Sequence, residues 1–294
     1  MPAFVATLVA AQGRLTDADV ARIAQALPAP VVHHWLEPGE AADLLLGDGT
    51  TFSSEDLRTA AAESGADVIL QPLATRDKKL IVADMDSTLI AQECIDELAE
   101  VAGVGQRVAY ITERAMRGEL DFEGALRERV GLLKGLDTAV IEKLLAERIM
   151  LNPGAKTLVA TFRARGGYFA IVSGGFVPFT AAVAGWLGAD EHRANRFAVA
   201  AGRLTGDVEE PIQGADAKLQ ALRELRDVLH LPASSVMAIG DGANDLPMLR
   251  EAGLGVAYRA KPKVAATAHA RIDYGDFTAL LFAMGIARAD FVDA

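Results

Sequence analysis

The stretch LIVADMDST occupies residues 80–88 and joins an uninterrupted apolar run to two aspartates. A short apolar run that ends in acid is typical of a buried parallel strand, because such strands are covered on both faces. Three later runs have the same character, at 169–172, 236–239 and 254–256. Helical stretches separate the runs, so the sequence predicts an α/β fold, a doubly wound parallel sheet with helices on both faces.

The residues that follow these predicted strands carry the chemistry. Ligands of an open α/β sheet bind beyond the carboxyl ends of its strands, so side chains at those ends are expected to meet. Carboxylates, a hydroxyl, an amide and a lysine are found there. They are Asp84 and Asp86 after the first strand, Ser173 and Gly174 after the second, Asp241, Asn244 and Asp245 after the third, and Lys218 at the start of the helix before the third.

The carboxylates predict a metal site. Asp84, Asp86 and Asp241 would repel one another at one sheet edge, and their burial costs free energy unless a cation lies among them. The set offers oxygen donors with no histidine or cysteine, which favours Mg²⁺ over zinc.

A carboxylate, a lysine and a divalent cation together indicate phosphoryl transfer, which depends mostly on positioning and charge stabilisation. Asp84 is the candidate nucleophile that forms an aspartyl-phosphate, and Asp86 is the candidate acid and base. Lys218, the Ser173 hydroxyl and loop amides would bind the phosphoryl oxygens. Each element alone has an ordinary explanation as a turn, a loop or a solvated lysine. Their order at successive strand ends favours the catalytic explanation.

The first part of the chain has a different pattern. Strands are predicted at 4–9, 31–35, 41–46 and 67–70, and helices at 16–27 and 54–64, the second helix with Ser53 and Asp56 spaced as a capping box. This βαββαβ order is the ferredoxin-like one, so we predict a small α+β domain at 1–76 and the α/β domain at 77–294. A helical insert at 93–151 is too long for a simple connection and is expected to form a cap over the active edge of the sheet.

Composition and charge exclude several classes of protein. Hydrophobic residues make up 51% of the 294 residues, which excludes disorder. The net charge is −11, from 29 basic and 40 acidic residues, and this argues against nucleic-acid and anionic-membrane partners. The uncharged stretch 166–189 is long enough to span a bilayer, but its glycines and Pro178 favour a buried strand, a loop and a buried helix.

The single cysteine, Cys94, cannot form an internal disulfide, which suits a reducing cytoplasm. It lies in a run typical of an apolar helix face, so core packing is expected rather than nucleophilic chemistry. The apolar run near the N-terminus has no basic residue ahead of it, which argues against a signal peptide. We therefore expect a cytoplasmic protein.

Four motifs resemble the signature motifs of the haloacid dehalogenase superfamily, and the resemblance extends from about residue 79 to the C-terminus. The motifs are Asp84-x-Asp86-x-Thr88, Ser173-Gly174, Lys218 and Gly240-Asp241-Gly242-x-Asn244-Asp245. A closer likeness is to the phosphoserine phosphatases of that superfamily. It is carried by the full run Asp84-Met85-Asp86-Ser87-Thr88, by Glu93 and by the sequence LRERV at 126–130.

The resemblance implies a role for each matching residue and Mg²⁺-dependent hydrolysis of O-phosphoserine, the last step of serine biosynthesis. In the core, Asp84 corresponds to the nucleophile, Asp86 to the acid and base, Ser173, Gly174 and Lys218 to phosphate binders, Asn244 to a substrate contact and Asp245 to a supporting residue. Magnesium would be held by Asp84, by the backbone carbonyl of Asp86 and by Asp241. In the cap, Glu93 and Arg129 correspond to the residues that bind the ammonium and carboxylate of serine. Phe122 and Met116 are expected to line the lid, with a place in the apolar core as the alternative.

Several alternatives stay open. A phosphoserine pocket needs one anion and one fork-shaped cation beside the phosphate, but the insert is rich in Glu and Arg that would also suit solvated helix faces. Another small phosphomonoester, phosphoryl transfer to an alcohol such as homoserine, and an amino-acid sensor on a phosphatase scaffold are the rival functions. The N-terminal domain resembles amino-acid-binding ACT modules in element order. That leaves an amino-acid ligand, homodimer formation, or neither as its role.

Overall fold

The computed structural model describes residues 2–27, 31–47 and 54–293. The N-terminal elements are β1 (Pro2–Val9), α1 (Asp17–Ala24), β2 (Val32–Glu37), β3 (Ala41–Gly47), α2 (Ser54–Ala62) and β4 (Asp67–Pro72). The four strands form an antiparallel sheet in the order β2-β3-β1-β4. The predicted βαββαβ order is therefore confirmed, while Ser53 of the predicted capping box lies outside the described residues.

Local sequence explains how α1 begins. The Thr16 hydroxyl accepts a hydrogen bond from the Asp19 amide at 3.2 Å, and the Asp19 carboxylate accepts one from the Thr16 amide at 3.1 Å. This reciprocal pair satisfies two donors at the helix start that would otherwise lack partners. The helix and the sheet bury their own apolar cluster, which includes Leu8, Val20 and Leu44.

The rest of the described chain forms a parallel sheet with helices around it. Its elements are β5 (Leu80–Ala83), α3 (Cys94–Val101), α4 (Gly105–Met116), α5 (Phe122–Gly131), α6 (Ala139–Glu147), α7 (Ala155–Ala164), β6 (Tyr168–Phe176), α8 (Val177–Leu187), β7 (Glu191–Asn195), β8 (Phe197–Ala200), β9 (Arg203–Val208), α9 (Ala215–Val228), β10 (Val236–Gly240), α10 (Leu246–Glu251), β11 (Leu254–Tyr258), α11 (Pro262–Ala265), β12 (Ala270–Ile272) and α12 (Thr278–Ala283).

Six strands pair in the order β12-β11-β10-β5-β6-β7, and every neighbouring pair is parallel. The predicted α/β class is confirmed, and β5, β6, β10 and β11 are the four strands that the apolar runs predict. The sequence analysis did not predict β7, β9 and β12, because their sequences lack a continuous apolar run. It also missed β8, although the sequence FAVA of that strand is such a run.

Strand β5 lies between β10 and β6, with all four of its residues buried. Its carboxyl end therefore opens at the centre of the sheet edge. Helices α3 to α6 follow β5 in the chain, where α3 packs on α4 and α6, and α4 packs on α5. The uncharged stretch 166–189 forms β6 and α8 inside this domain. Among the described residues, no helix combines the length and the apolar character needed to cross a bilayer.

A cluster of polar contacts, here called the junction cluster, joins the N-terminal sheet to α12 and consists of Arg76, Asp43 and Thr7. Arg76 forms a two-pronged ion pair with Asp43, with N···O distances of 2.7 and 3.1 Å. Its guanidinium also donates to the backbone carbonyls of Ala283 and Phe282. The Thr7 hydroxyl donates to the same Asp43 carboxylate at 2.7 Å, so every charge in the cluster has a partner.

Candidate active site

The turn after β5 places the first two aspartates. The Asp84 amide donates to the Ile239 carbonyl of β10 at 2.9 Å, which fixes Asp84 at the end of the sheet. Three residues later the chain turns sharply, because Ser87 has the left-handed φ of 54°. Non-glycine residues rarely take this conformation, and it recurs at functional sites. The Ser87 hydroxyl then donates to Glu93 at 2.7 Å, so the same turn also positions Glu93.

Lys218, in the first turn of α9, lies at the centre of the carboxylates. Its Nζ is 2.6 Å from Asp84 Oδ2 and 2.7 Å from Asp245 Oδ1, and the lysine is fully buried. Burial alone would lower the pKa of Lys218, but the charges of Asp245 and Asp84 outweigh it and hold that pKa above its ordinary value. The lysine is therefore a permanent cation beside Asp84.

Asp245 supports the site rather than facing its cavity. One of its carboxylate oxygens accepts the Lys218 ammonium, and the other accepts the amides of Asp241 and Gly242 at 3.1 and 3.0 Å. Gly240 makes this arrangement fit, since a Cβ there would lie 2.4 Å from the Asp245 carboxylate. Asp245 therefore fixes the loop that carries Asp241.

The carboxylates form a group that can hold a divalent cation. One oxygen from each of Asp84, Asp241 and Asp245 lies within 4.8 Å of the others. Burial, followed by the charge of Asp245, raises the pKa of Asp84 and raises that of Asp241 to about 6. Excess buried negative charge of this kind favours a cation, and an all-oxygen donor set suits a hard divalent ion. The donors present therefore fit a divalent metal.

The Asp86 side chain lines the cavity of the site but is not part of this group of carboxylates. Its Oδ1 accepts the Cys94 amide at 3.3 Å, and a Cβ at Gly175 would lie 2.6 Å from its Oδ2. Burial and the charge of Glu93 raise the pKa of Asp86 to about 7. A carboxyl group with that pKa can give and take a proton near neutrality. Of the predicted metal set, Asp84 and Asp241 lie together in the carboxylate group, and Asp86 has only its backbone left to contribute.

The last residues of β6, which the sequence predicts as a loop after the strand, supply groups for an anion. The Ser173 hydroxyl is buried and accepts the Gly175 amide at 2.9 Å. Asn195 of β7 fixes this end of β6. Its side-chain amide donates to the Gly174 carbonyl at 2.8 Å, and its side-chain oxygen accepts the Gln213 amide at 2.7 Å. Asn195 was missed by the sequence analysis, since it follows no apolar run and belongs to no motif named there.

A cavity of about 600 Å³ lies between the sheet edge and helices α3 to α5. Core residues Asp84, Asp86, Ser173, Gly174, Asp241 and Asn244 line it together with cap residues Glu93, Met116, Phe122 and Arg129. Lys218 lies behind Asp84, outside the lining. Phe122 packs closely on Gly174 at the end of β6, because a Cβ at Gly174 would lie 3.1 Å from its ring. Thus the predicted site residues meet around one cavity.

Arg129 reaches this cavity from α5 as a partly free cation. Its Nε donates to the Ala125 carbonyl at 3.2 Å, and among the described residues no carboxylate lies within ion-pair distance of its guanidinium. Burial lowers the pKa of Arg129, while the nearby charges of Asp96 and Glu93 oppose that shift. A guanidinium with unpaired N–H groups in a cavity is suited to bind a carboxylate ligand.

Known proteins match this chain over most of its length. The family model of the haloacid dehalogenase-like hydrolases matches residues 81–250. The chain belongs to that family. The matched segment contains the cluster described above, with Asp84, Asp86, Ser173, Lys218, Asp241 and Asp245.

Individual members of the haloacid dehalogenase-like family resemble the chain more closely. It is 44% identical to a phosphoserine phosphatase of Streptomyces coelicolor over 81% of its own length, and spans 59% of that protein. It is 43% identical to a probable phosphoserine phosphatase of Schizosaccharomyces pombe, covering 84% of this chain and 85% of the relative. A solved phospho-aspartyl intermediate analogue of phosphoserine phosphatase is 41% identical, with a TM-score of 0.65, over 70% of this chain and 98% of the other.

Proposed function

We propose that this protein hydrolyses O-phospho-L-serine to L-serine and phosphate, the closing step of serine biosynthesis, in the cytoplasm. The observation that carries the proposal is one cavity in which Asp84 lies at the floor, with Lys218 directly behind it, while Glu93 and Arg129 enter from the cap. The names of the relatives support the same activity. A phosphate, an ammonium and a carboxylate each find a complementary group in that cavity.

Asp84 is the proposed nucleophile. Its carboxylate oxygen attacks phosphorus, the bond between phosphorus and the serine oxygen breaks, and Asp86 gives its proton to that oxygen. The charge of Lys218 favours the ionised form of Asp84 and opposes the burial that raises its pKa, and the Ser173 hydroxyl and the Gly174 amide bind the phosphoryl oxygens. The products of this step are serine and an aspartyl-phosphate.

In the second step the aspartyl-phosphate is hydrolysed, and Asp86 accepts a proton instead of giving one. Asp86, now a carboxylate, takes a proton from water as the water oxygen attacks phosphorus. The bond between phosphorus and the Asp84 oxygen breaks, inorganic phosphate leaves, and both aspartates return to their starting forms. Asn244 is the proposed substrate contact beside the phosphate, and Asp245 is the residue that supports Lys218 and the Asp241 loop.

Magnesium is the proposed cofactor, held by Asp84, the Asp86 carbonyl and Asp241. When bound, it neutralises charge on the carboxylates and the phosphate so that the two anions can approach. The donor chemistry supports a hard divalent ion, and Mg²⁺ is the one most often used in phosphoryl transfer.

Glu93 and Arg129 are the proposed specificity residues. Glu93 is fixed by the Ser87 hydroxyl and would accept the substrate ammonium. Arg129 offers its free N–H groups to the substrate carboxylate, with Phe122 and Met116 as the apolar lining of the lid. A generic phosphate ester has neither charged group and would gain nothing from this pair.

Steady-state hydrolysis with detection of free phosphate tests the proposal. L-phosphoserine, phosphothreonine, several sugar phosphates and an aryl phosphate are compared with Mg²⁺ and after chelation. We expect Mg²⁺-dependent turnover with phosphoserine preferred. A preference for another ester, or phosphate transfer to added homoserine, would favour the related phosphatase or phosphotransferase. Absence of turnover on every ester would leave the amino-acid sensor as the better explanation.

We also propose 1–76 and 77–294 as the domain limits, with the cap at about 93–151. The separate sheets and the helices between β5 and β6 support this division. Homodimer formation and an amino-acid ligand at the N-terminal domain stay predictions, which sedimentation and calorimetric titration with L-serine would test.

A further inference from the structure

Lys261 is a cation of the active-site cavity to which the proposed reaction assigns no role. It lines the cavity together with Asp241 and Asn244, and the residue is exposed to solvent. Among the residues that the structure describes, no carboxylate lies within ion-pair distance of its ammonium group. An exposed ammonium without a carboxylate partner is available to an anion that arrives from solution.

The backbone fixes Lys261 at the active edge of the sheet. The residue follows β11, the neighbour of β10, and directly precedes the short helix α11. Its amide donates to the Asp241 carbonyl at 3.3 Å, which joins the loop after β11 to the loop that carries Asp241. Burial raises the pKa of Asp241, and the charge of Lys261 opposes that rise. The ammonium is therefore close enough to the carboxylate group to act on an anion there.

We propose that Lys261 is a specificity residue that attracts the substrate phosphate into the cavity and takes no part in phosphoryl transfer. The inference rests on the proposed phosphatase function. The carboxylate and ammonium of phosphoserine cancel, so its net charge near neutral pH is that of the phosphate, about −2. The chain itself has a net charge of −11. Such an ester is repelled at long range, and an exposed cation at the cavity offsets this repulsion locally.

Lys218, Arg129 and Lys261 differ in their access to solvent. Lys218 is fully buried and already paired with Asp84 and Asp245, so an anion meets it only after reaching Asp84. Arg129 is half-buried in the cap and is the proposed partner of the substrate carboxylate. Lys261 alone of these three is exposed. Its effect should therefore depend on charge, extend to any phosphate ester and weaken with salt, because exposed charges are screened.

The test uses three variants at two lysines. Lys261→Gln removes the charge, and Lys261→Arg keeps it. Lys263→Gln is the matched control, since Lys263 is also exposed, belongs to α11 and does not line the cavity. Steady-state hydrolysis of L-phosphoserine is measured at saturating Mg²⁺, at low and high ionic strength (about 20 and about 500 mM NaCl). Thermal melts confirm that each variant is folded.

At low ionic strength, Lys261→Gln should lower kcat/KM for phosphoserine about fivefold, as for loss of one partly exposed charge interaction. The loss should lie in KM, with kcat within about twofold, because the interaction is made before transfer begins. At high ionic strength the loss should shrink below about twofold. p-Nitrophenyl phosphate should show the same pattern, since it carries the same phosphate. Lys261→Arg and Lys263→Gln should stay within about twofold of the unaltered protein.

Inhibition by the two products separates attraction of charge from a change in cavity shape. The inhibition constant of inorganic phosphate should rise about fivefold in Lys261→Gln, whereas that of L-serine, which has no net charge, should stay the same. A loss that persists at high ionic strength, or an equal loss in Lys263→Gln, would overturn the proposal. So would a change confined to the Mg²⁺ concentration that the enzyme needs, which would make Lys261 a partner of Asp241 instead.

Failure of the role of Lys261 differs visibly from failure of the proposed function. If the unaltered protein hydrolyses phosphoserine and Lys261→Gln keeps the same kcat/KM at low ionic strength, only the role of Lys261 is wrong. If the unaltered protein does not hydrolyse phosphoserine, the proposed function is wrong and the role of Lys261 falls with it.

Discussion

The junction cluster and the active site both bury a cation beside carboxylates, but they differ in the balance of their charges. In the junction cluster one cation, Arg76, meets one anion, Asp43, and the Thr7 hydroxyl completes the set. In the active site Lys218 pairs with Asp84 and Asp245. A third carboxylate, Asp241, lies beside these two and also feels the charge of Lys261. The first cluster is neutral as it stands, whereas the second has an excess of negative charge.

This difference separates a structural cluster from a functional one. A buried ion pair with all its hydrogen bonds made holds two surfaces together, and loss of one partner leaves a costly unpaired charge. A buried cluster with unbalanced charge lowers stability unless a ligand completes it. The excess charge of the active site is thus the physical sign that a cation and a phosphate belong there.

The largest effect on turnover is expected from loss of the nucleophile in the active site. Asp84→Asn should reduce phosphoserine turnover by at least about 1,000-fold, because no other group can carry the phosphoryl group. The fold should be kept, since Lys218 retains Asp245 and one of the mutually repelling carboxylates is gone. Turnover by phosphate release and a thermal melt measure the two effects, and full activity would remove Asp84 as nucleophile.

The junction cluster should show the opposite response. Arg76→Ala should lower the free energy of unfolding by about 3–5 kcal/mol, because Asp43 is left buried without its cation. The turnover of the folded fraction should stay within about twofold, as Arg76 touches no residue of the cavity. Denaturant unfolding and kcat are measured on one sample. A large fall in kcat with unchanged stability would contradict the division between the two clusters.

Variants of Arg129 test whether this cation of the cap takes part in substrate recognition. Arg129→Ala should reduce kcat/KM for phosphoserine by about 100-fold, as expected for loss of a charged, two-pronged contact, and that for p-nitrophenyl phosphate far less. Arg129→Lys is the control, since it keeps the charge but loses the fork geometry. Equal losses on both substrates would argue against recognition of the carboxylate.

Metal binding should produce the smallest but most diagnostic effect. Without metal, the pKa of Asp241 is raised from 3.8 to about 6. A carboxyl group with a raised folded-state pKa costs stability as pH rises through this window. Mg²⁺ pairs with the ionised form, so its stabilisation should grow from pH 5 to pH 7.5, reaching about 2.7 kcal/mol at 100 times its Kd. Thermal melts with Mg²⁺ or chelator at both pH values measure it; a Tm gain independent of pH would speak against these carboxylates as ligands.

The sequence predicted the strand ends well because the information there is local. An apolar run followed by aspartate marks both the buried strand β5 and the position of Asp84, and the same holds for β10 and Asp241. The orientation of Asp86 was not predictable in this way. It depends on the left-handed Ser87, on the space left by Gly175 and on the start of α3, which come together only in the folded protein.

The junction cluster shows the other limit of sequence reasoning. The sequence predicts the limit between the two domains at residues 76 and 77, in a charged segment between the α+β pattern and the α/β pattern. Arg76 was therefore expected to be a linker residue. The structure leaves only 14% of the Arg76 side chain exposed. Its partners are more than thirty residues earlier and more than two hundred later in the chain, and no local pattern encodes that pairing.

These long separations have a consequence for biosynthesis. The Asp67 carboxylate accepts the amides of Asp273, Tyr274 and Gly275, and Arg76 needs the carbonyls at the end of α12. The N-terminal sheet has its own core and can form early on the ribosome, since domains tend to fold as they emerge. Asp67 and Arg76 then stay charged and solvated until the last part of the chain, which supplies their partners, is translated. A chain cut short before residue 273 would keep this sheet but display Asp67 and Arg76 to the solvent, a feature that quality-control proteases and chaperones could recognise.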